Sequence, residues 1–378
     1  MKEYLTSWTQ ESRSFLQRGR ILAIVDPVVE DTFKIFSTLN SMDTATGITS
    51  FMNFSPNPTW DSLNAAMDIA HSERVEGVLA IGGGTAIDLA KLTATALQLG
   101  GAEALWTEGK QGAEISVDRS KIPLMAIPTT AGTGAEATRF AVLYRDGFKH
   151  SIVGNALKPD FLALDPSLLS SLPSAVIADT GLDAACQAME SLWSVQATPE
   201  SEREAWAALD LAVDHLATAV STRGQPSLAG MLVSAHRAGK AINITTTTAP
   251  HALSYGLTSL FRIPHGRAVG LVFGPVFQRM AMGIRAQCTH PKGSDFVLTR
   301  LESIAARWGQ TLDEFPEWWE RFLREQLAVK PSPSTLAHLD DLSTTVNAKR
   351  LANSPYPFTP AEIREIYSDL SQTGTTDQ

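Results

Sequence analysis

Residues 78–91 read VLAIGGGTAIDLAK and combine an apolar run, three consecutive glycines and a helical pattern that opens at Thr85. Glycine lets a backbone approach a phosphate closely, and the free N–H groups at a helix N-terminus favour a diphosphate. The stretch departs from the G-x-G-x-x-G fingerprint, because Ile87 stands at the position of the third glycine. It predicts a strand, a glycine turn and a helix that bind a dinucleotide. A tight turn without a ligand is the open alternative.

The rest of the first half repeats this alternation. Apolar, β-branched runs occur at residues 21–25, ILAIV, and 123–130, PLMAIPTT. Between the runs lie stretches with helical spacing, such as WDSLNAAMDIAHSE from Trp60. Alternating strands and helices are typical of a parallel sheet with helices on its faces. We therefore predict a Rossmann-like α/β dinucleotide-binding domain over residues 1–175.

The second half of the chain is helical in character. Long amphipathic patterns cover residues 201–220 and 299–330, and strand-like runs almost disappear. We predict an all-helical domain over residues 176–378, which ends in a disordered tail at 371–378. Because 378 residues exceed the size at which one hydrophobic core usually keeps growing, we expect two domains that share a cleft.

Composition excludes several classes of protein. The net charge of −9 argues against a general nucleic-acid surface, and no apolar segment reaches the length of a membrane span. The amino terminus lacks the apolar region of a secretory signal, and Cys186 and Cys288 are too few for a disulfide framework. We expect a cytoplasmic protein without nucleic-acid or membrane partners, in which an anionic ligand needs a local patch of positive charge.

Two further segments add to the candidate cofactor site. IPTTAGTGAEAT, at 127–138, follows a strand and offers hydroxyl and amide groups at the sheet edge where ligands of open α/β folds bind. Asp26 ends the first apolar run and could accept hydrogen bonds from an adenosine ribose, which would select NAD over NADP. A solvated turn aspartate before Pro27 is the alternative interpretation of Asp26.

The stretch DTGLDAACQAMESLWS, at 179–194, places Asp183 four positions before Gln187, in the first turns of a predicted helix. This spacing puts both side chains on one helix face. Downstream lie His251 and His265, the second in a Pro-His-Gly turn. A carboxylate, an amide oxygen and two imidazoles suit a divalent metal such as Fe²⁺ or Zn²⁺. Alternatively, the acid and the amide bond neighbouring backbone groups, and both histidines are ordinary loop residues.

With these motifs the chain resembles the iron-containing (group III) alcohol dehydrogenase family. The matching segments are GGGTAIDLAK, IPTTAGTGAEAT, DTGLDAACQAME and HALSYGLTSLFRIPHG, in the family's order and spacing. The resemblance implies a dinucleotide-binding domain, a carboxyl-terminal helical domain and a metal in the cleft between them, as in dehydroquinate synthase-like folds. It also implies NAD(P)H-dependent, metal-assisted reduction of an aldehyde, with Fe²⁺ favoured and Zn²⁺ as the alternative.

The resemblance assigns roles to individual residues. The family's metal ligands fall on Asp183, Gln187, His251 and His265. Its cofactor contacts fall on Gly83, Gly84, Thr85 and Asp88 near the diphosphate, and on Thr129, Thr130 and Lys149 nearer the ribose and nicotinamide.

Two positions depart from the family. The second ligand is usually histidine but is Gln187 here, and Tyr255 replaces an active-site histidine. Because an amide oxygen is a weaker and harder donor than imidazole, the metal should bind less tightly and stay more electrophilic, or be absent. Tyr255 can still donate a proton, although its ordinary pKa of about 10 differs from that of histidine. Tyr255 and His265 are the candidate catalytic residues.

The segments DAACQAMESLWSV, KHSI and PHALSYGLTSLFRIPHGRAV are most similar to a subgroup associated with phosphonoacetaldehyde reduction in phosphonate biosynthesis. Arg139, His150 and Arg267 lie in or beside these motifs and could bind a phosphonate dianion. Each could instead be a surface charge paired with an acid. We expect a small anionic aldehyde as substrate, 2-hydroxyethylphosphonate as product and a homodimer. The alternatives are another small carbonyl such as phosphonopyruvate, a lyase of the dehydroquinate synthase type and a nucleotide-binding protein without catalysis.

Overall fold

The computed structural model describes residues 2–42, 47–110, 114–117, 122–329 and 339–372. The chain divides into two compact units, Met1–Ser171 and Leu172–Gln378. The predicted boundary, after residue 175, lies four residues beyond this division. The difference arises because the helix that opens the second unit already begins at Ser174, so the division falls in the loop before it.

The described part of the first unit contains seven strands and six α-helices. The strands are β1 Ile21–Val25, β2 Ile48–Phe51, β3 Gly77–Gly82, β4 Leu124–Pro128, β5 Phe140–Arg145, β6 Phe148–Val153 and β7 Phe161–Leu162. The helices are α1 Trp8–Leu16, α2 Pro27–Phe33, α3 Ile35–Asn40, α4 Trp60–Ser72, α5 Gly84–Leu99 and α6 Ala102–Gly109.

Five parallel strands form a sheet in the order β2-β1-β3-β4-β7, and β5 and β6 form a separate antiparallel hairpin. All residues of β1, β3 and β4 are buried, as expected of a parallel sheet that is covered on both faces. Along β1, Leu22 and Ile24 pack in the core that includes α4 to α6, whereas Ile21 and Val25 pack in the core that includes α1 to α3. The predicted Rossmann-like architecture is confirmed.

The described part of the second unit contains ten α-helices and no strand, as the sequence predicted. They are α7 Ser174–Trp193, α8 Pro199–Thr222, α9 Gln225–Thr245, α10 Ala249–Phe261, α11 His265–Gly283, α12 Ser294–Arg307, α13 Phe315–Gln326, α14 Leu339–Thr344, α15 Ala348–Ala352 and α16 Pro360–Gln372. Among the described residues, no helix combines the length and the apolar character needed to cross a membrane.

Two helical predictions need correction in detail. The pattern over 299–330 is interrupted between α12 and α13, where Gly309 takes a left-handed φ of 72°. The tail predicted to be disordered begins inside α16, which continues to Gln372, and residues 373–378 lie outside the described residues.

Helix α7 is the centre of the second unit and packs against α8, α9 and α11. Every residue from Gly181 to Trp193 is buried. A Cβ at Gly181 would lie 2.3 Å from Cδ1 of Leu216 in α8, so the two helices meet closely at this glycine. Asp183 lies in the middle of α7 and not in its first turns, because the helix begins at Ser174, directly after a proline.

Candidate functional site

The carboxyl ends of β1 and β3 lie side by side, because Val25 pairs with Ile81. The strand order reverses direction between these two strands, and ligands of open α/β sheets bind at such a switch point. Asp26 and Gly82 meet here, since a Cβ at Gly82 would lie 3.0 Å from Cβ of Asp26. The sheet therefore brings the aspartate and the glycine turn of the sequence motifs to one edge.

Asp26 also has a structural partner at this edge. Its Oδ1 accepts a hydrogen bond from the backbone N–H of Val28 at 2.9 Å and so caps α2. A turn aspartate of this kind was the alternative interpretation of the sequence. The helix cap occupies Oδ1 of Asp26. A hydrogen bond from a ribose to Asp26 stays a prediction.

The glycine turn lies directly against the loop after β4. Helix α5 begins at Gly84, one residue before the predicted start, and Gly83 occupies its N-cap position. A Cβ at Gly83 would lie 3.3 Å from Oγ1 of Thr130, and one at Gly84 would lie 3.0 Å from Cγ2 of Thr133. Because the first N–H groups of a helix lack acceptors within the helix, this end of α5 favours an anion.

Two hydrogen bonds connect the loops around this turn. The backbone N–H of Thr129 donates to the carbonyl of Gly82 at 3.0 Å. The N–H of Asn57, from the loop between β2 and α4, donates to Oγ1 of Thr85 at 3.2 Å. The structure thus gathers both candidate cofactor motifs at the carboxyl edge of the sheet.

Asp88 binds the hairpin that β5 and β6 form. Its Oδ2 accepts a hydrogen bond from the N–H of Val142 at 2.9 Å. Burial raises the pKa of this carboxyl, although the charge of Lys91 and the Val142 amide oppose the increase. Lys149, on the exposed side of β6, adds a weaker opposing charge. A contact of Asp88 or Lys149 with the cofactor stays a prediction.

Lys91 in the same motif has a structural role that the sequence analysis missed. The side chain is fully buried, and its Nζ donates to the carbonyls of Thr138 and Phe140 at 2.9 and 2.7 Å. These bonds tie α5 to the end of the candidate cofactor loop at 127–138 and to the start of β5. The helical spacing from Asp88 to Lys91 places the two residues on one face, which is the only signal the sequence offered.

The three candidate substrate residues have protein partners. Arg139 forms an ion pair with Glu114, with Nη1 2.7 Å from Oε1. The ring of His150 meets that of Trp106 edge to face, with centroids 4.7 Å apart. Both residues belong to the first unit.

Arg267, in the second unit, donates from Nε and Nη2 to the two carboxylate oxygens of Asp179 at 2.9 and 3.3 Å. Both arginines are thus paired with acids, which was the alternative left open by the sequence.

Three of the predicted metal ligands meet where α7, α10 and α11 converge. Asp183, His251 and His265 each offer a ligand atom, and these atoms all lie within 4.8 Å of one another. Gly266 permits this approach, because a Cβ there would lie only 1.8 Å from the backbone oxygen of Asp179. The absence of a side chain at Gly266 therefore lets the start of α11, with His265, pack directly on α7.

Gln187 lies one turn after Asp183 on the same face of α7 and is 3% exposed. Its Nε2 donates to Oδ1 of Asp183 at 2.9 Å, while Oε1 is buried and finds no hydrogen-bond partner among the described residues. An unsatisfied buried acceptor costs about 1–3 kcal/mol. A cation beside Asp183 could satisfy it, and a carboxylate, an amide oxygen and two imidazoles are donor types that suit a divalent metal.

Glu190 completes this cluster, although the sequence analysis did not single it out. The carboxylate is fully buried, and its Oε1 pairs with Nδ1 of His251. The other ring nitrogen, Nε2, lies 3.1 Å from Oδ1 of Asp183. A carboxylate on the far nitrogen fixes the orientation of a metal-binding imidazole. Spacing did carry a signal, because Asp183, Gln187 and Glu190 follow the i, i+4, i+7 pattern of one helix face.

The carboxylates and imidazoles of the cluster change one another's pKa values. Burial disfavours the charged form of His251, but the carboxylates of Glu190 and Asp183 outweigh it and raise the pKa of His251 to about 9. Burial would raise the pKa of Asp183, yet His251 and His265 hold it below its ordinary value. In the metal-free protein, His251 therefore carries a proton at neutral pH, which a metal must displace.

Tyr255 lies one turn after His251 on α10, beside the second candidate catalytic residue. Its ring stacks on that of His265, with centroids 6.3 Å apart and planes 16° from parallel. The rings of His251 and His265 are 5.4 Å apart. The structure therefore brings a phenol to the edge of the candidate metal centre.

Comparison with known proteins identifies the family of the chain. Residues 5–166 match the protein-family model described as iron-containing alcohol dehydrogenase, and residues 177–314 match the one described as Fe-containing alcohol dehydrogenase family, C-terminal. The chain is 35% identical to phosphonoacetaldehyde reductase of Streptomyces viridochromogenes, over 70% of this chain and 68% of that protein. It is 32% identical to long-chain-alcohol dehydrogenase 1 of Geobacillus thermodenitrificans, over 82% and 79% of the two chains.

A solved structure adds to these relatives. The crystal structure of sulfoacetaldehyde reductase from Bifidobacterium kashiwanohense, in complex with NAD+, matches with a TM-score of 0.82 at 26% identity. The match covers 98% of this chain and 94% of the other. Together with the matched family models, these similarities confirm the family that the sequence motifs predicted. The chain belongs to the iron-containing alcohol dehydrogenase family of oxidoreductases.

Proposed function

We propose that the protein reduces a small anionic aldehyde with NAD(P)H, and that the substrate is phosphonoacetaldehyde and the product 2-hydroxyethylphosphonate. The observation that carries the proposal is the cluster of buried Asp183, Gln187 and His251 with half-buried His265. Two relatives support an anionic substrate, since one is named for phosphonoacetaldehyde and the other for sulfoacetaldehyde.

Asp183, Gln187, His251 and His265 would hold the metal, with Fe²⁺ favoured and Zn²⁺ as the alternative. When bound, such a metal supplies a Lewis acid that polarises the substrate carbonyl. Glu190 keeps the imidazole of His251 in the orientation that turns Nε2 towards Asp183. The chain thus supplies two oxygen and two nitrogen donors from three helices.

In the first unit, the glycine turn and the N-terminus of α5 would bind the cofactor diphosphate through backbone N–H groups. Thr129 and Thr130 lie beside this turn and offer hydroxyl groups. Asp26 would accept hydrogen bonds from the adenosine ribose, and its charge would repel a 2′-phosphate, so NADH is favoured over NADPH.

When bound, the nicotinamide would supply the hydride for the carbonyl carbon, and the chain would have to supply a proton for the carbonyl oxygen. Tyr255 is the proposed proton donor, because its ring stacks on His265 at the metal cluster. With an ordinary pKa of about 10, a tyrosine phenol carries its proton at neutral pH.

Arg267 is the proposed phosphonate contact. Its partner Asp179 lies one turn before the proposed ligand Asp183 on α7, so the ion pair brings the guanidinium to the same helix. Its guanidinium is bound to Asp179 through Nε and Nη2, which fixes its position and leaves further N–H groups for an anion. Arg139 and His150 are further candidates for this role.

The first experiment follows NADH absorbance with phosphonoacetaldehyde, using enzyme loaded with Fe²⁺ or Zn²⁺ beside a chelated sample. We expect oxidation of NADH that depends on the metal, slower turnover of acetaldehyde and weaker use of NADPH. Full turnover by the chelated enzyme would contradict the role of the metal. Tight NADH binding without turnover of any aldehyde would instead favour a nucleotide-binding protein without catalysis. Consumption of the substrate without a net change in NADH absorbance would favour a lyase. The predicted homodimer would be tested by light scattering on the purified protein.

A further inference from the structure

The residue that follows α9, Thr246, has an unusual backbone conformation, with φ 56° and ψ −174°. A left-handed φ is rare for a β-branched side chain and persists only where the surrounding structure holds it. Thr246 to Thr248 form the link from α9 to α10, and α10 carries His251. The conformation of this link therefore decides where the helix with a proposed metal ligand begins.

Asn353, which follows α15, holds the link although it lies about a hundred residues later in the chain. It is 3% exposed. Its amide nitrogen lies 2.7 Å from the carbonyl oxygen of Thr245, 3.0 Å from that of Thr247 and 3.1 Å from Oγ1 of Thr246. Its amide oxygen accepts a hydrogen bond from Oγ of Ser194 at 2.9 Å. One buried side chain thus contacts three consecutive residues around the strained position.

Neighbours of Asn353 extend this contact along the link. Oγ of Ser354 accepts a hydrogen bond from the N–H of Ala249, the first residue of α10, at 2.8 Å. Nη1 of Arg350 donates to Oγ1 of Thr247. Residues 350–354 therefore bind the link at its middle and at its end.

The link in turn contacts the cluster through Thr248. The backbone N–H and Oγ1 of Thr248 donate to Oε2 of Glu190 at 2.6 and 2.8 Å. The other oxygen of Glu190 pairs with Nδ1 of His251. Nε1 of Trp193 donates to Oγ1 of Thr248 at 2.9 Å and fixes that hydroxyl. A displacement of Thr248 would therefore change the orientation of Glu190 and, with it, the imidazole of His251.

We propose that Asn353 is a positioning residue for the metal centre: it holds Thr246 in its left-handed conformation, which places Thr248 against Glu190 and so orients His251. Asn353 lies beyond residue 314, where the second match to the family ends. The inference rests on the proposed function only in taking His251 as a metal ligand.

The test compares N353A, the double variant T246G/N353A and the wild type. Glycine adopts the conformation of Thr246 without strain, so the double variant should keep the link in place without the amide. S234A is the matched control, because it removes a buried hydrogen bond to the carbonyl of Ala208, between α9 and α8. The first readout is Co²⁺ affinity, from the visible absorption of the bound ion. The second is the downfield proton resonance of His251 Nδ1–H in the metal-free protein, identified by its absence in H251Q.

We expect N353A to weaken Co²⁺ binding by roughly tenfold, the scale seen for changes to outer-shell partners of metal ligands, and to shift or broaden the His251 resonance. T246G/N353A should recover most of both. S234A should lower the melting temperature and leave both readouts unchanged. Should N353A fail to fold, S194A is the second variant: it removes the hydroxyl that donates to the amide oxygen of Asn353, together with its weaker bond to the carbonyl of Thr245 and the bond it accepts from the N–H of Gln196. It leaves the amide nitrogen of Asn353 on the link and should change both readouts in the same direction by a smaller amount.

Two outcomes separate this inference from the proposed function. Wild-type affinity and an unchanged His251 resonance in N353A, together with a lower melting temperature, would give Asn353 a purely structural role and overturn the proposal. Absence of Co²⁺ binding by the wild type would count against the metal site alone, and the resonance in the metal-free variants would then decide the role of Asn353.

Discussion

Gln187 donates a hydrogen bond from Nε2 to Oδ1 of Asp183 at 2.9 Å, while no described residue hydrogen-bonds its buried Oε1. The amide nitrogen of Gln187 therefore hydrogen-bonds the carboxylate of Asp183, and the amide oxygen stays available to bind a cation. If that oxygen binds the metal, Q187L, which keeps the approximate size and removes both polar atoms, should weaken Zn²⁺ binding by about tenfold or more. Competition with a chelating dye measures the affinity. Unchanged affinity would show that Gln187 is not a ligand.

Replacing Gln187 with a better metal ligand should instead strengthen metal binding. Q187H replaces an amide oxygen with imidazole, a donor that suits Zn²⁺ and Fe²⁺, whereas oxygen donors suit Mn²⁺. We expect Q187H to bind Zn²⁺ more tightly and to raise the preference for Zn²⁺ over Mn²⁺. The ratio of the two dissociation constants measures this preference. An equal change for both metals would argue against donor hardness as the cause.

Metal binding should release a proton from His251. The pKa of this residue, raised to about 9 by Glu190 and Asp183, keeps it protonated at neutral pH in the metal-free protein. Affinity should therefore increase with pH up to about 9 and then level off, with release of about one proton per metal at neutral pH. Calorimetry in buffers of different ionisation enthalpy counts the protons. E190Q removes one of the charges that raise the pKa and should reduce this release, and no release from the wild type would contradict the prediction.

The same shift affects the stability of the metal-free protein. The folded pKa of about 9 lies above the ordinary value of His251, so the folded protein binds this proton more tightly than the unfolded chain does. At pH values below the ordinary pKa, protonation of His251 therefore contributes its full stabilisation to the fold. This contribution should be lost as the pH rises through about 9. Urea unfolding at several pH values would measure it, and E190Q should show a weaker dependence.

Gly266 should be intolerant of any side chain. A Cβ there would lie 1.8 Å from the backbone oxygen of Asp179, an atom that cannot move without shifting α7. We expect G266A to destabilise the protein by about 2 kcal/mol or more and to weaken metal binding, because His265 precedes this residue. G270A is the matched control, since its Cβ would meet only the flexible end of Leu182 at 3.0 Å. Equal free energies of unfolding for the two variants would contradict this explanation.

Arg267 should discriminate between charged and uncharged aldehydes. We expect R267A to raise KM for phosphonoacetaldehyde by about tenfold or more, as expected for loss of a charge-assisted hydrogen bond, and to change KM for acetaldehyde far less. D179N is the control, because it removes the charge of the partner and keeps the arginine. Steady-state kinetics measures both substrates. An equal loss on both would remove Arg267 from substrate recognition.

The charge of Asp26 can be tested separately from its role as the cap of α2. Asparagine caps helices about as well as aspartate, so D26N should preserve the cap of α2 and the stability of the protein. Loss of the negative charge should improve NADPH binding relative to NADH. Fluorescence titration with both cofactors measures the ratio. A ratio equal to that of the wild type would show that Asp26 does not select the cofactor.

Local patterns in the chain account for much of the fold. The run at 21–25 became β1 with the same bounds, and the glycine turn precedes α5 as predicted. The pattern over 299–330 predicted helix but concealed a break near Gly309, because amphipathic spacing continues across a short turn. Spacing also placed Asp183 and Gln187 on one face of α7, and missed that Asp183 lies in mid-helix.

The amino-acid sequence by itself determined the class of fold, the family and the residue types of the candidate metal and cofactor sites, since these depend on neighbours within one turn or strand. Only the tertiary structure decided which distant groups meet. It joined Glu190 to His251, Asn353 to Thr246 and Arg267 to Asp179, and it left Oε1 of Gln187 without a described partner. These contacts depend on how the helices pack, because each pair lies on two segments that approach only after the chain has folded.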